Sequence, residues 1–264
     1  MNENTGDAID TTVPHSARIW NYWLGGRDNY EVDRVAGDAF RDRFPGITVG
    51  ARAARYFLAR AVRHLAEERD VRQFLDIGTG LPSVDNTHEI AQRANPRART
   101  LYVDKDPLVI AHARALLTSA PQGTTRYLLA DIREPETILE RAAEHLDLTR
   151  PVALMLMGIL GHIEDLDEAR SIARRLVAGL PSGSYLVHYD STSTSEDYVA
   201  AIAGYNAQAP VPYILRDPEE LRPFYDGLEL LEPGLISCSR WRPDTLALGL
   251  PEEVHQYGAV ARKP

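Results

Sequence analysis

Phe74-Leu75-Asp76-Ile77-Gly78-Thr79-Gly80 is the stretch that decides how this chain folds. Its first four residues form a short, mainly apolar run that stops at a glycine turn, the signature of a buried strand feeding a loop. Gly78 and Gly80 lack β-carbons, so the backbone there can turn tightly and let a ligand come close. A glycine turn alone also serves as a plain strand-to-helix connection. The residues that follow decide between the two. Strand-like segments at 101–103, 126–130, 152–157 and 184–189 alternate with helical ones at 107–117, 135–143 and 166–180. That alternation predicts an α/β fold with a mostly parallel sheet. The 152–157 run is apolar throughout, as a central strand covered on both faces requires.

Ligands of open parallel sheets bind beyond the carboxyl ends of the strands. Two further acids fall there. Asp104 closes the second strand, where a carboxylate can accept hydrogen bonds from ribose hydroxyls. Asp106, directly before Pro107, fits the role of helix cap and leaves Asp104 free. Asp131 follows the third strand, placed to accept from an adenine amino group, with Ile132 offering an apolar face. Lys105 and Gly158 share the same rim. The turn reads Gly78-Thr79-Gly80-Leu81-Pro82-Ser83, without the third glycine of a dinucleotide fingerprint, and no P-loop occurs. Three acids after three successive strands describe a nucleoside site.

Upstream, residues 1 to about 13 are polar and expected to fray. Helices are expected over 14–23, ended by Gly25-Gly26, over 32–44, and over 49–68. The third has Tyr56, Phe57, Ala61, Val62 and Leu65 as its apolar face, and Arg52, Arg55, Arg60 and Arg63 read as its solvated one. Residues 1–70 thus form a helical cap and 71–264 the nucleoside-binding domain. Beyond Tyr189, helices are expected at 194–207 and 218–224. Extended segments follow at 228–231, 235–241 and 253–262, the last two joined through 241–251 as an antiparallel pair.

The chain has 264 residues, with 29 Lys and Arg against 38 Asp and Glu, a net charge of −9. An acidic surface argues against nucleic acid as a partner. Its single cysteine, Cys238, permits no intrachain disulfide and no cysteine metal cluster, which fits a reducing compartment. No stretch approaches a membrane span, so a cytoplasmic protein without membrane partners is expected.

Strand–Asp-x-Gly-x-Gly, an acid ending strand two and Ala130-Asp131-Ile132 after strand three resemble the class I S-adenosylmethionine (SAM)-dependent methyltransferases. A second resemblance lies in Ala17-Arg18-Ile19-Trp20-Asn21-Tyr22-Trp23-Leu24-Gly25-Gly26-Arg27-Asp28-Asn29-Tyr30, similar to the signature of one bacterial methyltransferase family long kept as a domain of unknown function. The ending, Leu231-Glu232-Pro233-Gly234-Leu235 through Trp241 and then Tyr257 to Pro264, fits the same family. The resemblance implies a Rossmann-like sheet, mostly parallel with an antiparallel C-terminal strand, beneath an N-terminal helical cap. It implies that Asp76, Gly78 and Gly80 face the methionine part of SAM, Asp104 the ribose, and Asp131 with Ile132 the adenine. The segment from Tyr22 to Asn29 would fold over the cofactor as a lid. Many class I members carry a third glycine where this chain has Pro82.

The lid has its own chemistry. SAM carries a sulfonium, an ammonium and a carboxylate. Trp20, Tyr22 and Trp23 offer aromatic faces to a cation, Tyr22 best placed of the three beside Gly25, and core packing is the other role open to the two tryptophans. Arg18 and Arg27 can pair a carboxylate, and Asp28 or Asn29 can hold polar groups. His162, in the glycine-flanked loop after strand four, is the candidate general base for a small-molecule acceptor, whereas His188 lies inside a strand. Tyr198, Tyr205, Tyr213 and Tyr225 can line the acceptor pocket or simply pack. Two other readings stay open: a SAM-binding regulator without transfer activity, and a nicotinamide-dependent oxidoreductase.

Overall fold

A computed structural model describes residues 10–83, 85–116, 118–244 and 249–264. Most of the segment expected to fray, the expected helix end at Leu117 and the middle of the 241–251 connection lie outside the described residues. Three helices come first: α1 (Ser16–Trp23), α2 (Glu31–Arg43) and α3 (Ile47–Glu68). Then β1 (Gln73–Ile77), α4 (Thr87–Ala94), β2 (Arg99–Asp104), α5 (Pro107–Leu116), β3 (Thr124–Leu129), α6 (Pro135–Ala142), β4 (Ala153–Met157), α7 (Leu166–Ala178) and β5 (Tyr185–Ser191) alternate. The chain closes with α8 (Glu196–Asn206), α9 (Pro218–Leu221), β6 (Glu229–Leu230), β7 (Ile236–Ser237) and β8 (Gln256–Arg262).

The strand order is β3-β2-β1-β4-β5-β8-β6, with β7 also on β8. The β3-β2-β1-β4-β5 pairs are parallel, and β8 runs antiparallel to β5, β6 and β7. This is the Rossmann-like, mostly parallel sheet with antiparallel C-terminal strands. Chain order reverses between β1 and β4, and there the ends of adjacent strands leave a crevice.

Alternation along the strands sorts the core into two layers. Leu75, Ile77, Leu154 and Leu156 pack against α6 and α7 through Ile138, Ile172 and Leu176. Phe74, Met155 and Val187 meet Phe57, Ala61 and Leu65 of α3 and Ile90 of α4 on the other face. A third cluster joins α1, α2 and α8 through Ile19, Trp23, Phe40, Tyr198 and Ala201. The expected boundary at residue 70 therefore separates α3 from the strands it covers. The layer above the strand ends is built by α1 and α2 with α8.

The arginine-rich face of α3 is not uniformly solvated. Arg60 is buried and donates to the backbone oxygens of Trp241 (2.8 Å) and Cys238 (2.7 Å), tying α3 to the C-terminal segment. Arg55 points into the cavity described below. Tyr56, expected in the apolar face, is instead 62% exposed. The other four residues of that face, Phe57, Ala61, Val62 and Leu65, are fully buried, joined by the alanines at 51 and 54.

Candidate active site

A cavity of about 280 Å³ opens above the carboxyl ends of β1 to β5, roofed by α1, α2 and α8. Its floor is the turn after β1. Gly78 has φ +73° and Gly80 φ +62°, a region costly for any residue with a β-carbon. A β-carbon on Gly78 would collide with the Ile159 side chain, whereas one on Gly80 would find only Ala17, 4.0 Å away. The Gly78 amide donates to the Val103 oxygen (2.8 Å), so the turn is anchored on β2.

Asp104 joins turn and strand. Its Oδ2 accepts from the Gly80 amide (3.1 Å) and its Oδ1 from the Asp106 amide (2.9 Å). A carboxylate has about four lone-pair sites, so each oxygen keeps capacity for a ligand hydroxyl. Burial pushes the Asp104 carboxyl above its usual range, partly opposed by those two amides. Asp106 accepts from the Leu108 amide (2.8 Å), the expected cap, and also meets His15 Nε2 (3.0 Å). Asp131, Ile132 and Lys105 line the same wall, and Gly158, with φ +76°, stands at the end of β4.

Asp76 lies deeper, 4% exposed, in a small recess beneath the turn shared with Arg55. The Thr87 hydroxyl donates to its Oδ2 (2.6 Å). Burial lifts its carboxyl to about 6, although Thr87 and the Arg55 charge pull the other way.

Besides Asp76 in its recess, the five residues of α1 and the α1–α2 connection expected at the cofactor do not line the cavity. Arg18 is 3% exposed, ion-paired with Asp33 (2.8 Å) and donating to the oxygens of Asp10 and Val13. Tyr22 donates to Asp38 (2.7 Å). Gly25 is exposed at φ +82° where it ends α1, Arg27 is exposed, and Asn29 donates to Asn21 and Gly26. The reason is helical phase. Positions 18 and 22 share one face of α1, and acids of α2 hold that face. Ala17, Trp20, Asn21 and Leu24 face the cavity instead. Trp20 and Trp23, given second rank on sequence, line it and Tyr22 does not.

Arg55 and His15 are among the lining residues that escaped the sequence reading. Arg55 follows Ala54 and precedes Leu58 on the inward face of α3, a phase signal hidden by the arginines around it. His15 N-caps α1 by accepting from the Ala17 amide at Nδ1 (3.3 Å), which leaves Nε2–H for Asp106.

Beyond Gly158 the lining changes to His162, Tyr189, Ser191, Tyr198, Tyr205 and Tyr213. His162 Nδ1 lies 3.1 Å from the Pro212 oxygen. A carbonyl only accepts, so Nδ1 carries the proton and Nε2 keeps its lone pair. Burial pulls this histidine below the usual imidazole range. His188 is fully buried between Tyr225 (3.0 Å) and Asp190 (3.1 Å), outside the cavity, and Tyr225 stays with it. Asp190 also accepts from the Gly161 amide and the Tyr213 hydroxyl (both 3.1 Å), and Tyr213 packs edge-on against His162. This buried network positions the His162 loop. Among the described residues, no cluster of three or more His, Cys, Asp or Glu could hold a metal ion.

A model of the S-adenosyl methyltransferase family matches residues 2–264. The chain is similar to a solved DUF574-family protein from Streptomyces avermitilis, with 45% identity and a TM-score of 0.92 over 97% of this chain and all of that one. A protein from Thermobifida fusca described as a candidate methyltransferase shares 34% identity and a TM-score of 0.87 over 99% of both chains. A SAM-dependent methyltransferase from Anabaena variabilis has the same fold at 16% identity, with a TM-score of 0.52 over 87% of this chain and 95% of that one. No curated protein sequence matches. The chain belongs to the S-adenosyl methyltransferase family, and its activity is SAM-dependent methyl transfer.

Proposed function

We propose that this SAM-dependent methyltransferase holds its cofactor along the rim of β1 to β3 and methylates a small molecule on the β4–β5 side, with His162 as the general base. The observation that carries this reading is Asp104, whose two oxygens are each held by one backbone amide and each keep room for a ribose hydroxyl. The rest of the rim fits the same cofactor. Gly78 and Gly80 leave a cradle that a β-carbon at position 78 would fill. Asp131 and Ile132 offer an acceptor and an apolar face for adenine, and Lys105 flanks Asp104. Asp76 and Arg55, beneath the turn, supply an acid and a guanidinium for the methionine ammonium and carboxylate.

When bound, SAM supplies a methyl carbon activated by a sulfonium. The chain's part is positioning, exclusion of water and removal of a proton from the acceptor. Trp20 on α1 roofs the cavity and keeps water out, while Gly158 lets the acceptor approach the end of β4. Arg18 and Tyr22 act indirectly, by holding α1 on α2. Gly25, Arg27 and Asn29 shape the α1–α2 connection rather than touch the cofactor. In this reading the 17–30 segment is the signature of the bacterial family it resembles, and the cap is α1 and α2 with α8. A bacterial, cytoplasmic setting fits the sources of both close structural relatives and the single buried cysteine. No helix among the described residues is long and apolar enough to cross a membrane.

Calorimetric titration with S-adenosylhomocysteine tests the placement. Asp104→Asn is expected to weaken binding by roughly ten- to a hundredfold, the value of hydrogen bonds to a charged group. Unchanged affinity would remove the ribose from Asp104. Tight binding with no transfer from labelled SAM to any of a broad acceptor panel would instead favour a SAM-binding regulator.

A further inference from the structure

The cavity is chemically divided. Its carboxylates, Asp104, Asp106 and Asp131, and the cations Lys105 and Arg133 all stand at the end of β2 or in the turns after β2 and β3. The part enclosed by α1, α2, α8, the ends of β4 and β5 and residues 211–213 differs. Among the described residues lining that part, none is a carboxylate, a lysine or an arginine apart from Arg55, which is shared with the Asp76 recess under the rim. Its walls are rings and hydroxyls: Trp20, Phe40, Tyr189, Tyr198 and Tyr205.

Those hydroxyls are neutral at pH 7. Burial pushes Tyr205 up to about 12 and Tyr189 higher still. Tyr198 donates to Ser191 (3.0 Å) and Tyr213 to Asp190. Among the described residues lining this side, His162 is the one imidazole, His15 being engaged at the rim with Asp106. An ammonium entering here would lose its water shell for ring faces alone, with no carboxylate, and a carboxylate would meet neutral hydroxyls and a neutral imidazole, with Arg55 already engaged by the Asp85 oxygen and the Asp76 recess. A flat, uncharged ring gives up the least water and gains edge and face contacts with the walls.

We infer that the methyl acceptor is an uncharged aromatic compound methylated on a ring hydroxyl. The inference rests on the cofactor placement proposed above. The acceptor oxygen bonds to the methyl carbon as the carbon–sulfur bond breaks, and that bond's electron pair leaves on sulfur. The hydroxyl proton passes to Nε2 of His162, the nitrogen left free by the Nδ1–Pro212 hydrogen bond, and from there to water.

Three probes of one ring size separate the chemistries: 1-naphthol, 1-naphthylmethylamine and 1-naphthoate, titrated calorimetrically at pH 7 into the full chain saturated with S-adenosylhomocysteine. Naphthol is expected to bind at least tenfold tighter than either charged probe. Equal or tighter binding of a charged probe, or no binding of naphthol, overturns the inference. Failure of S-adenosylhomocysteine itself to bind strikes the cofactor placement instead, and is read first. His162→Gln should keep naphthol affinity within about threefold but slow methoxynaphthalene formation about a hundredfold. It should also abolish the acid limb of the rate profile, which in the native protein falls below pH 6.5 because burial disfavours the imidazolium. An unchanged rate in that variant removes the base. Tyr205→Glu adds a carboxylate to the wall and should turn the preference toward the amine. If that variant does not fold, the native ligand series still decides.

Discussion

Asp33 in the cap and Asp76 beneath the glycine turn are both buried carboxylates, and the protein treats them in opposite ways. Asp33 is 0% exposed and is matched by the Arg18 guanidinium and by the backbone amides of His15 and Tyr30, each at 2.9 Å. Asp76 takes a hydroxyl from Thr87 and shares its recess with Arg55, yet burial still outweighs both and raises its carboxyl to about 6. One charge is compensated to hold helices together. The other is left under electrostatic strain at the edge of a ligand site. Strongly perturbed acids in clefts mark function more often than compensated ones.

Breaking the compensated pair should have the largest effect. Arg18→Met leaves Asp33 buried with its charge unmatched and is expected to cost about 3–5 kcal/mol of stability. In thermal unfolding that is a drop on the order of 10 °C. The folded fraction should bind S-adenosylhomocysteine with native affinity. A selective loss of affinity with stability intact would return Arg18 to the cofactor.

The strained acid should give a smaller effect of the other sign. The Asp76 carboxyl is held at about 6 against an ordinary 3.8, so its native state favours the proton. The stability linked to it is complete below the ordinary value and is lost as pH rises through 6. Asp76→Asn removes a charge that is costly at high pH. The melting temperature of this variant relative to the native protein should therefore rise between pH 4 and pH 8, by up to ~3 kcal/mol equivalent, while affinity for S-adenosylhomocysteine falls. A flat difference across that range would show that Asp76 is compensated as well as Asp33 is.

The smallest effect is expected at Arg27, which lies exposed in the α1–α2 connection. Arg27→Ala should change stability by less than ~0.5 kcal/mol and leave cofactor affinity unchanged in the same titration. A tenfold loss of affinity would mean that the connection closes over the ligand when it binds.

The rim was legible because strands leave little freedom. A residue at the carboxyl end of a parallel strand points where its neighbours' ends point, so Asp104, Asp131 and the Gly78–Gly80 turn converge by topology. Chain order also separated the parallel strands from the antiparallel end. The element α4, capped by Asn86, carried no apolar run strong enough to single it out. Its packing rests on Ile90 and Ala91, with polar His88 and Gln92 also buried.

The roof was legible only as helices. The family resemblance marked Tyr22 to Asn29 as a lid, but an eight-residue helix carrying three large aromatics and an arginine can present any side. Asp33 and Asp38 on α2 chose it, drawing Arg18 and Tyr22 outward and turning Trp20 inward. Arg55 was lost for the same reason: nothing local sets it, or the buried Arg60, apart from the exposed Arg52 and Arg63.

By itself, then, the sequence determined the α/β alternation, the strand-end acids and the nucleoside character of the site, because those depend on local period and on chain order. The tertiary structure alone decided which faces of α1 and α3 look into the cavity, that Asp76 sits strained while Asp33 is matched, and that the far side of the cavity is neutral and aromatic. Each of those depends on partners distant in the chain, and no local pattern encodes which of a helix's sides a distant acid will claim.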